Sequence, residues 1–340
     1  MNSDIEQVML FLKEHWSENH VLSSNRFLMD WQHSGTQGRE YDFVTAFDGD
    51  EMLGCLGFIL ISRFDQALAE NDTIWLTNWK VRKEGPRGLG LQLHTFLCKH
   101  VHHRSIGTVG NNLQAALIYS ALGYKTGTMS QHYVLHPKFA EFKLADVPKG
   151  SPRINDKIDV SANPKLRNLD TESVRGLEGK FYDILPENAI PHKSIGYYIS
   201  RFKQHPFYNY NIYAIEHDGT TRGLLITRFC EAHGSRALRI VDICACSDGL
   251  HGIAKPIQDI LVAHNTEYAD FFHTGFEDSA IQASGLLTLE SLDGDVIIPN
   301  YFEPFLKKNV AMNWAYKVED TQFVISCKAD CDQDRPSSLE

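Results

Sequence analysis

The stretch from Leu76 to Leu93, LTNWKVRKEGPRGLGLQL, has the residue types and spacing of an anion-binding turn. Gly85, Gly88 and Gly90 allow positive φ values and close backbone approach, and a helix beginning near Leu89 aims its unsatisfied N–H groups back into the turn. Arg87 adds a charge, and Trp79 and Val81 end the strand that feeds the turn. Downstream, GNNLQAALIYSALGY puts Asn112 at the head of a helix, with Ala115 and Tyr119 one turn apart on one face. A glycine cluster alone fits any tight strand-to-helix connection. The fixed order of strand, glycine turn, helix, strand and Asn-led helix is the stronger signal.

The elements that must position these residues are legible around them. Ser3 with Glu6 reads as a capping box before an amphipathic helix carrying Ile5, Val8, Met9, Leu12 and Trp16. Tyr41–Phe47 and Met52–Ile61 flank Asp48-Gly49-Asp50 as a hairpin, and Ile74–Val81 makes the next strand. Leu89, Leu93, Phe96, Leu97 and Val101 stripe the following helix; Ile106–Val109 and Lys125–Leu135 supply further strands. From Pro137 to Pro164 no period is sustained, and residues 138–164 read as a linker. The second half then repeats the first in weakened form: Asp218-Gly219 before RGLLITRF echoes Asp48-Gly49 before GFILISRF, and TGFEDSAIQASGLL echoes VGNNLQAALIYSALGY. Gly275 against Gly110 gives an offset of 275 − 110 = 165. The segment SDGLHGIAKPI, with only two glycines and the helix-disfavouring Pro256, lacks the phosphate-binding features, so a cofactor is expected on the first repeat and the acceptor pocket on the second.

Composition sets bounds. A chain of 340 residues with 43% hydrophobic residues predicts two domains with real cores. A net charge of −10 argues against a nucleic-acid partner, and the basic cluster Lys80, Arg82, Lys83 and Arg87 stands out against it. The seven cysteines are read as reduced and largely buried; without a matching second Cys/His pair, no metal site is expected. No basic-apolar leader is read at the N-terminus, and the longest apolar run, Met52–Ile61, is too short to cross a bilayer, so a soluble cytoplasmic protein without membrane contact is expected.

On the two motifs together, the chain resembles the GNAT superfamily of acyl-CoA-dependent N-acyltransferases. The family's pyrophosphate loop runs Arg or Gln, two residues, Gly, one residue, Gly or Ala; Gly88-Leu89-Gly90 fits its latter part, with Gly85 at the Arg or Gln position. Starting from Arg87 instead makes Gly90 the first glycine and leaves Gln92 at the second. The resemblance implies an α/β fold of two GNAT-like mixed-sheet domains in tandem: residues 1–137 with the acyl-CoA site, then 165–338 as a degenerate copy contributing the acceptor pocket. It implies acyl-CoA as co-substrate, held by Trp79, Val81, Gly85, Arg87, Gly88, Leu89, Gly90, Leu91, Asn112 and Tyr119, and direct attack of an acceptor amine on the thioester.

In that chemistry the leaving thiolate needs a proton, for which Tyr119 stands at the family's general-acid position, and the ammonium needs a base. His273 is the first candidate for the base, following the strand-like EYADFF, with Asp270 and Asp242 as groups that orient it or bind the amine. Trp31 and His33 in DWQH, with Asn78, are candidates for the substrate mouth. The tandem arrangement, DWQH and the ending CKADCDQDRP look like enzymes that N-acylate nucleotide-linked amino sugars for bacterial surface polysaccharides, some using 3-hydroxybutanoyl-CoA and a dTDP-3-amino-3,6-dideoxyhexose. Lys193, Arg201 and Lys203 would then be donors to the nucleotide. Another small amine as acceptor, or a CoA-sensing module without chemistry, are the competing readings, and a monomer or homodimer is expected.

Overall fold

The computed structural model describes residues 4–36, 38–179, 189–318 and 323–337, which leaves Ser3 of the expected capping box outside. The main helices are α1 (Asp4–His15), α2 (Arg26–His33), α3 (Leu89–His100), α4 (Leu113–Ala121), α5 (Ala254–Ala263) and α6 (Asp278–Ser284). The first sheet contains β1 (Phe43–Asp48), β2 (Glu51–Leu60), β3 (Thr73–Val81), β4 (Ser105–Asn111) and β5 (Lys125–Thr128). After them come β6 (Ser130–Leu135), β7 (Lys165–Leu169), β8 (Asn211–His217), β9 (Thr220–Ala232), β10 (Ser235–Ala245), β11 (Tyr268–Thr274), β12 (Leu287–Thr288), β13 (Asn313–Lys317) and β14 (Ser326–Cys327).

The two sheets trade a strand. The first runs β1-β2-β3-β4-β13-β5 and the second β7-β8-β9-β10-β11-β6-β12, so each takes its next-to-last strand from the other half of the chain. In both sheets one neighbouring pair is parallel, β3 with β4 and β10 with β11, and all other pairs are antiparallel. The helices repeat with the same register: α3 to α5 is 254 − 89 = 165 residues and α4 to α6 is 278 − 113 = 165. The duplication legible in the sequence is therefore a duplication of elements. Pro256 does not break α5, because it occupies the first helical turn, where its missing N–H costs no intrahelical bond.

Packing follows the strand alternation. On one face of the first sheet Leu56, Ile74 and Leu76 meet Leu93 and Leu97 of α3 and Tyr119 of α4. On the other, Ile59, Trp75 and Val109 join Ile226, Val241 and Phe272 of the second sheet in a shared core. Leu238, Ile240 and Phe271 point the opposite way, against Ile257 and Leu261 of α5. The two sheets thus face each other, with the helices α3 to α6 outside. Helices α1 and α2 cover β2 through Leu12, Leu28, Met29 and Cys55. Lys193 is buried in the middle, with Asp242 at 2.8 Å and Asp330 at 3.1 Å, a pairing that lets three charges leave water together.

Candidate functional site

The first sheet opens where the glycine turn begins. Strands β3 and β4 pair only from Thr73–Ser105 to Trp75–Gly107 and then diverge. At the same point β3 carries a bulge: Phe58 pairs with Leu76 and Leu56 with Trp79, so Gly57 alone faces both Thr77 and Asn78. The extra residue shifts the side-chain phase, which is why Leu76 and Trp79 both turn toward α3 and α4. A bulge beside a divergence leaves main-chain N–H groups of β3 without a strand partner on the β4 side, the arrangement an oxyanion or an extended amide-bearing ligand requires.

The turn itself fits an anion. Gly88 is the N-cap of α3 at φ +84°, a left-handed conformation that favours glycine; a Cβ built there meets nothing within 4 Å, and no side chain caps the helix. The Leu89 N–H donates to the Pro86 carbonyl at 3.2 Å, which leaves the Gly90 and Leu91 amides as the first-turn donors for an anion. Gly90 is close-packed for a different reason: a Cβ would lie 3.3 Å from Trp79 Nε1, so the indole would have to give by a few tenths of an ångström. Arg87 is exposed beside the turn, Leu89 is buried beneath it, Leu91 is exposed, and Val81 packs near Gly85. The equivalent helix start in the second half is closed, since a Cβ on Gly252 would sit 3.0 Å from both the Ala162 carbonyl and Pro164. The segment linking the two halves covers it.

Behind the turn lies an aromatic cluster. Trp79 stacks on His94 at 5.6 Å and leans on Tyr119 at 5.7 Å, and Tyr119 meets Tyr124 at 5.2 Å. His94 Nε2 and the Tyr124 hydroxyl are 2.7 Å apart. Burial raises the Tyr119 hydroxyl pKa, with the nearby Cys331 thiol adding to the shift and Thr108 on β4 opposing it as a hydrogen-bond partner. Burial keeps this phenol in its acid form at neutral pH, so its O–H can hydrogen-bond to charge developing on a leaving sulfur, and it is not a base there. Cys331 sits in the divergence, its thiol donating to the Leu76 carbonyl at 3.2 Å, with burial holding it protonated. Asn112 serves first as a helix cap: its Oδ1 accepts from the Ala115 N–H at 2.8 Å.

No family model and no curated protein matches the sequence. Solved structures do resemble it. A GCN5-related N-acetyltransferase from Anabaena variabilis ATCC 29413 covers 94% of this chain and 71% of its own, with 10% identity and a TM-score of 0.53. A conserved protein from Enterococcus faecalis V583 covers 93% and 70%, at 9% identity and 0.51. The glucosamine N-acetyltransferase region of a fungal multi-domain GH3 β-N-acetylglucosaminidase covers 93% of this chain and 37% of that one, at 9% and 0.50. The fold is GNAT-like. At these identities the likeness is one of architecture, and it extends over both halves of the chain.

The other sequence candidates are not gathered at this opening. His273 lies on β11 with its ring on the helix-covered side, against Phe271 and Phe276. Its Nε2 is 2.9 Å from His132 Nε2, and burial, the largest cause, lowers its pKa to about 3. Phe272, on the opposite face, is the residue of that strand that meets the first sheet. Asp242 is held by Lys193, and Asp270 lies 3.5 Å from Arg239 beneath a separate cleft. His33 is fully buried, with Nδ1 3.0 Å from the Phe58 carbonyl and its pKa lowered to about 3 chiefly by burial. Trp31 packs on Phe64 and His205 under the Arg201 guanidinium, and Asn78 is buried at the bulge with an unbonded Nδ2.

The expected nucleotide donors are turned toward partners within the fold. Lys193 is in its ion pairs, Arg201 donates to the Ala329 and Cys331 carbonyls, and Lys203 donates to the Leu169 carbonyl. Tyr124 closes the Asn112-led motif, but its pairing with His94 is tertiary. Sequence reasoning missed Thr108 and His94, whose contacts are tertiary as well, and it missed Arg228 and Arg239. A signal existed for the last two, because an arginine inside an apolar strand run such as LLITRF or RALRIVD reads as a buried, paired charge. Among the described residues no group of three His, Cys, Asp or Glu side chains converges on a metal position, and no helix is long and apolar enough to cross a membrane.

Proposed function

We propose that this protein is an acyl-CoA-dependent N-acyltransferase that passes an acyl group, acetyl or 3-hydroxybutanoyl, directly to the amine of a nucleotide-linked deoxy amino sugar in the cytoplasm. The observation that carries the reading is the combination at one place of a β3–β4 divergence, a bulge that frees β3 amides, an uncapped glycine-led helix start and a buried Tyr119. The pyrophosphate of CoA sits against the first turn of α3 beside Arg87, and the pantetheine arm follows β3 into the divergence. The amides freed at the bulge polarise the thioester carbonyl as the amine attacks. As the tetrahedral adduct collapses, Tyr119 donates its proton to the departing sulfur and recovers one through solvent from the nitrogen of the adduct, so that a neutral thiol leaves and the phenol is restored. The base that strips the ammonium is left to water or to a group other than His273.

Two measurements test this reading. Mass spectrometry of a dTDP-linked 3-amino-3,6-dideoxyhexose after incubation with acyl-CoA should show one acyl group added on nitrogen; an unmodified sugar with every acyl-CoA would rule out that acceptor. Gly90→Leu should raise the KM for acyl-CoA by about tenfold with a smaller change in kcat, because the added side chain meets Trp79 and displaces the helix start. An unaltered KM in initial-rate kinetics would remove the α3 start from the cofactor site.

A further inference from the structure

The second sheet carries a cluster of buried charges that the proposed transfer does not use. A small cleft is lined by Tyr208, Arg228, Arg239, Asn300, Lys328 and Gln333. Arg228, Arg239 and Lys328 are 7%, 3% and 3% exposed. Asp334 accepts from Arg228 Nε and Nη2, each at 2.9 Å, and from the Tyr210 hydroxyl at 2.6 Å. Arg239 stands 3.5 Å from Asp270, but its Nε makes no hydrogen bond, and neither does either Asp270 oxygen. Arg239 Nη2 and Lys328 Nζ both donate to the Asn300 main-chain carbonyl, at 2.6 and 2.8 Å, while Asn300 Oδ1 is unbonded.

Three buried cations thus meet two buried carboxylates. At the rim, Glu303 takes the Tyr208 hydroxyl and the Ser337 N–H, and Asp332 takes Arg335. Among the described residues no carboxylate lies within 4 Å of Lys328 Nζ, which rests between the Phe272 and Tyr301 rings. A buried positive charge without a counter-ion is costly, and an incoming anion removes that cost. The cleft also adjoins the first sheet. Gln333, on its wall, presses on Gly110 at the end of β4, where a Cβ would lie 2.2 Å from the glutamine Cδ. Two residues earlier in the chain, a reach of at most about 7 Å, Cys331 touches Leu76 in the divergence.

We propose that this cleft is an anion subsite that receives a phosphate or carboxylate carried by the acyl acceptor, held by Lys328 and Arg239. Calling the bound molecule the acceptor rests on the acyltransferase reading; the anion site itself does not. The state of Lys328 agrees with an absent counter-ion: its pKa is lowered to about 7, chiefly by burial with Arg239 and Arg228 adding to the shift, while Asp270 and Asp334 oppose it. Anion binding reverses that shift, so Lys328 takes up a proton as the anion enters.

The test is calorimetric titration of the full chain at pH 7.5 with inorganic phosphate and, separately, propionate, in two buffers of different ionisation enthalpy. One of the two anions should bind with uptake of a fraction of a proton, and which one does assigns phosphate or carboxylate. Lys328→Met should weaken binding by about tenfold or more, as expected for loss of a charge-assisted contact. Gln333→Glu, a change at a half-buried wall residue, should do the same by repulsion, independently of any folding defect in the first variant. Phosphate also fits the glycine turn, so cleft binding is the component that carries proton uptake, and Arg87→Gln should leave that component in place. Proton-coupled binding that survives both cleft variants, or is lost only in Arg87→Gln, overturns the proposal, as does no binding of either anion. If acyl transfer fails with every amine while anion binding still depends on Lys328, the subsite stands and the acceptor assignment falls. If Lys328→Met transfers to anionic amines with an unchanged KM, the subsite is overturned and the acyltransferase reading stands.

Discussion

Tyr119→Phe should lower kcat for acyl transfer by about 10²-fold or more, the usual contribution of a positioned general acid, while CoA affinity stays within about threefold because the ring and its packing are kept. The geometry supports this split. The Tyr119 ring is fixed by Trp79 and Tyr124, contacts that phenylalanine preserves, and only the hydroxyl beside Thr108 is removed. Because burial keeps the phenol protonated well above neutrality, the wild-type rate should show no loss from Tyr119 ionisation up to pH 9. Single-turnover rates with a saturating acyl donor separate chemistry from product release. A variant with full kcat across that pH range would take Tyr119 out of proton transfer and leave it as a packing residue.

The second large effect is on stability in mild acid. Burial holds His20 and His132 at pKa values of about 4, and His33, His205 and His273 at about 3. The folded-state values lie below the unfolded value near 6.5, so as pH falls through 6.5 the unfolded chain takes up protons that the folded chain cannot. Stability is therefore complete above pH 6.5 and declines below it. Each histidine contributes a slope of about 1.4 kcal/mol per pH unit. Asp72 works in the opposite sense, because burial raises its pKa to about 6 and the folded state gains a proton there first. For these six groups together the slope is about 5 kcal/mol per pH unit near pH 5.5, comparable to the whole stability of a typical domain; His94, His136 and His192 act in the same direction, and Asp42 and Asp242 oppose. Denaturant midpoints at pH 7, 6 and 5 should drop steeply, with unfolding near pH 5. A midpoint flat over that range would mean these imidazoles are reached by solvent in the native state.

What could be read from the sequence was local or periodic. The order of strand, glycine turn, helix, strand and Asn-led helix from Ile74 to Tyr119 is set within a few dozen residues, and the 165-residue repeat is a property of the string itself. The strand exchange is neither. Ser130–Leu135 directly follows a strand of the first sheet yet pairs with Tyr268–His273, and Asn313–Lys317 crosses back between β4 and β5. Alternating burial cannot say which sheet a strand joins.

The choice of His273 as a base shows the same limit at one-residue scale. Alternation along YADFFHT puts Phe271 and His273 on one face and Asp270 and Phe272 on the other, and only the packing of the two sheets decides which face looks toward the first half. Lys193, Arg201 and Lys203 were eligible as nucleotide donors by type, but their donors are engaged inside the fold. Arg228, Arg239 and Lys328, far apart in sequence, converge because β9 and β10 are neighbours and the chain after β14 crosses them.

Direct acyl transfer from CoA to an amine at the β3–β4 divergence, as proposed, is tested by continuous detection of free thiol from acetyl-CoA and 3-hydroxybutanoyl-CoA, with and without a dTDP-linked amino sugar. Thiol release that requires the amine, prefers one acyl-CoA and shows no stoichiometric burst before the amine is added is the predicted result. A burst of one thiol per chain without acceptor, or no release with any amine despite measurable CoA binding, would contradict it.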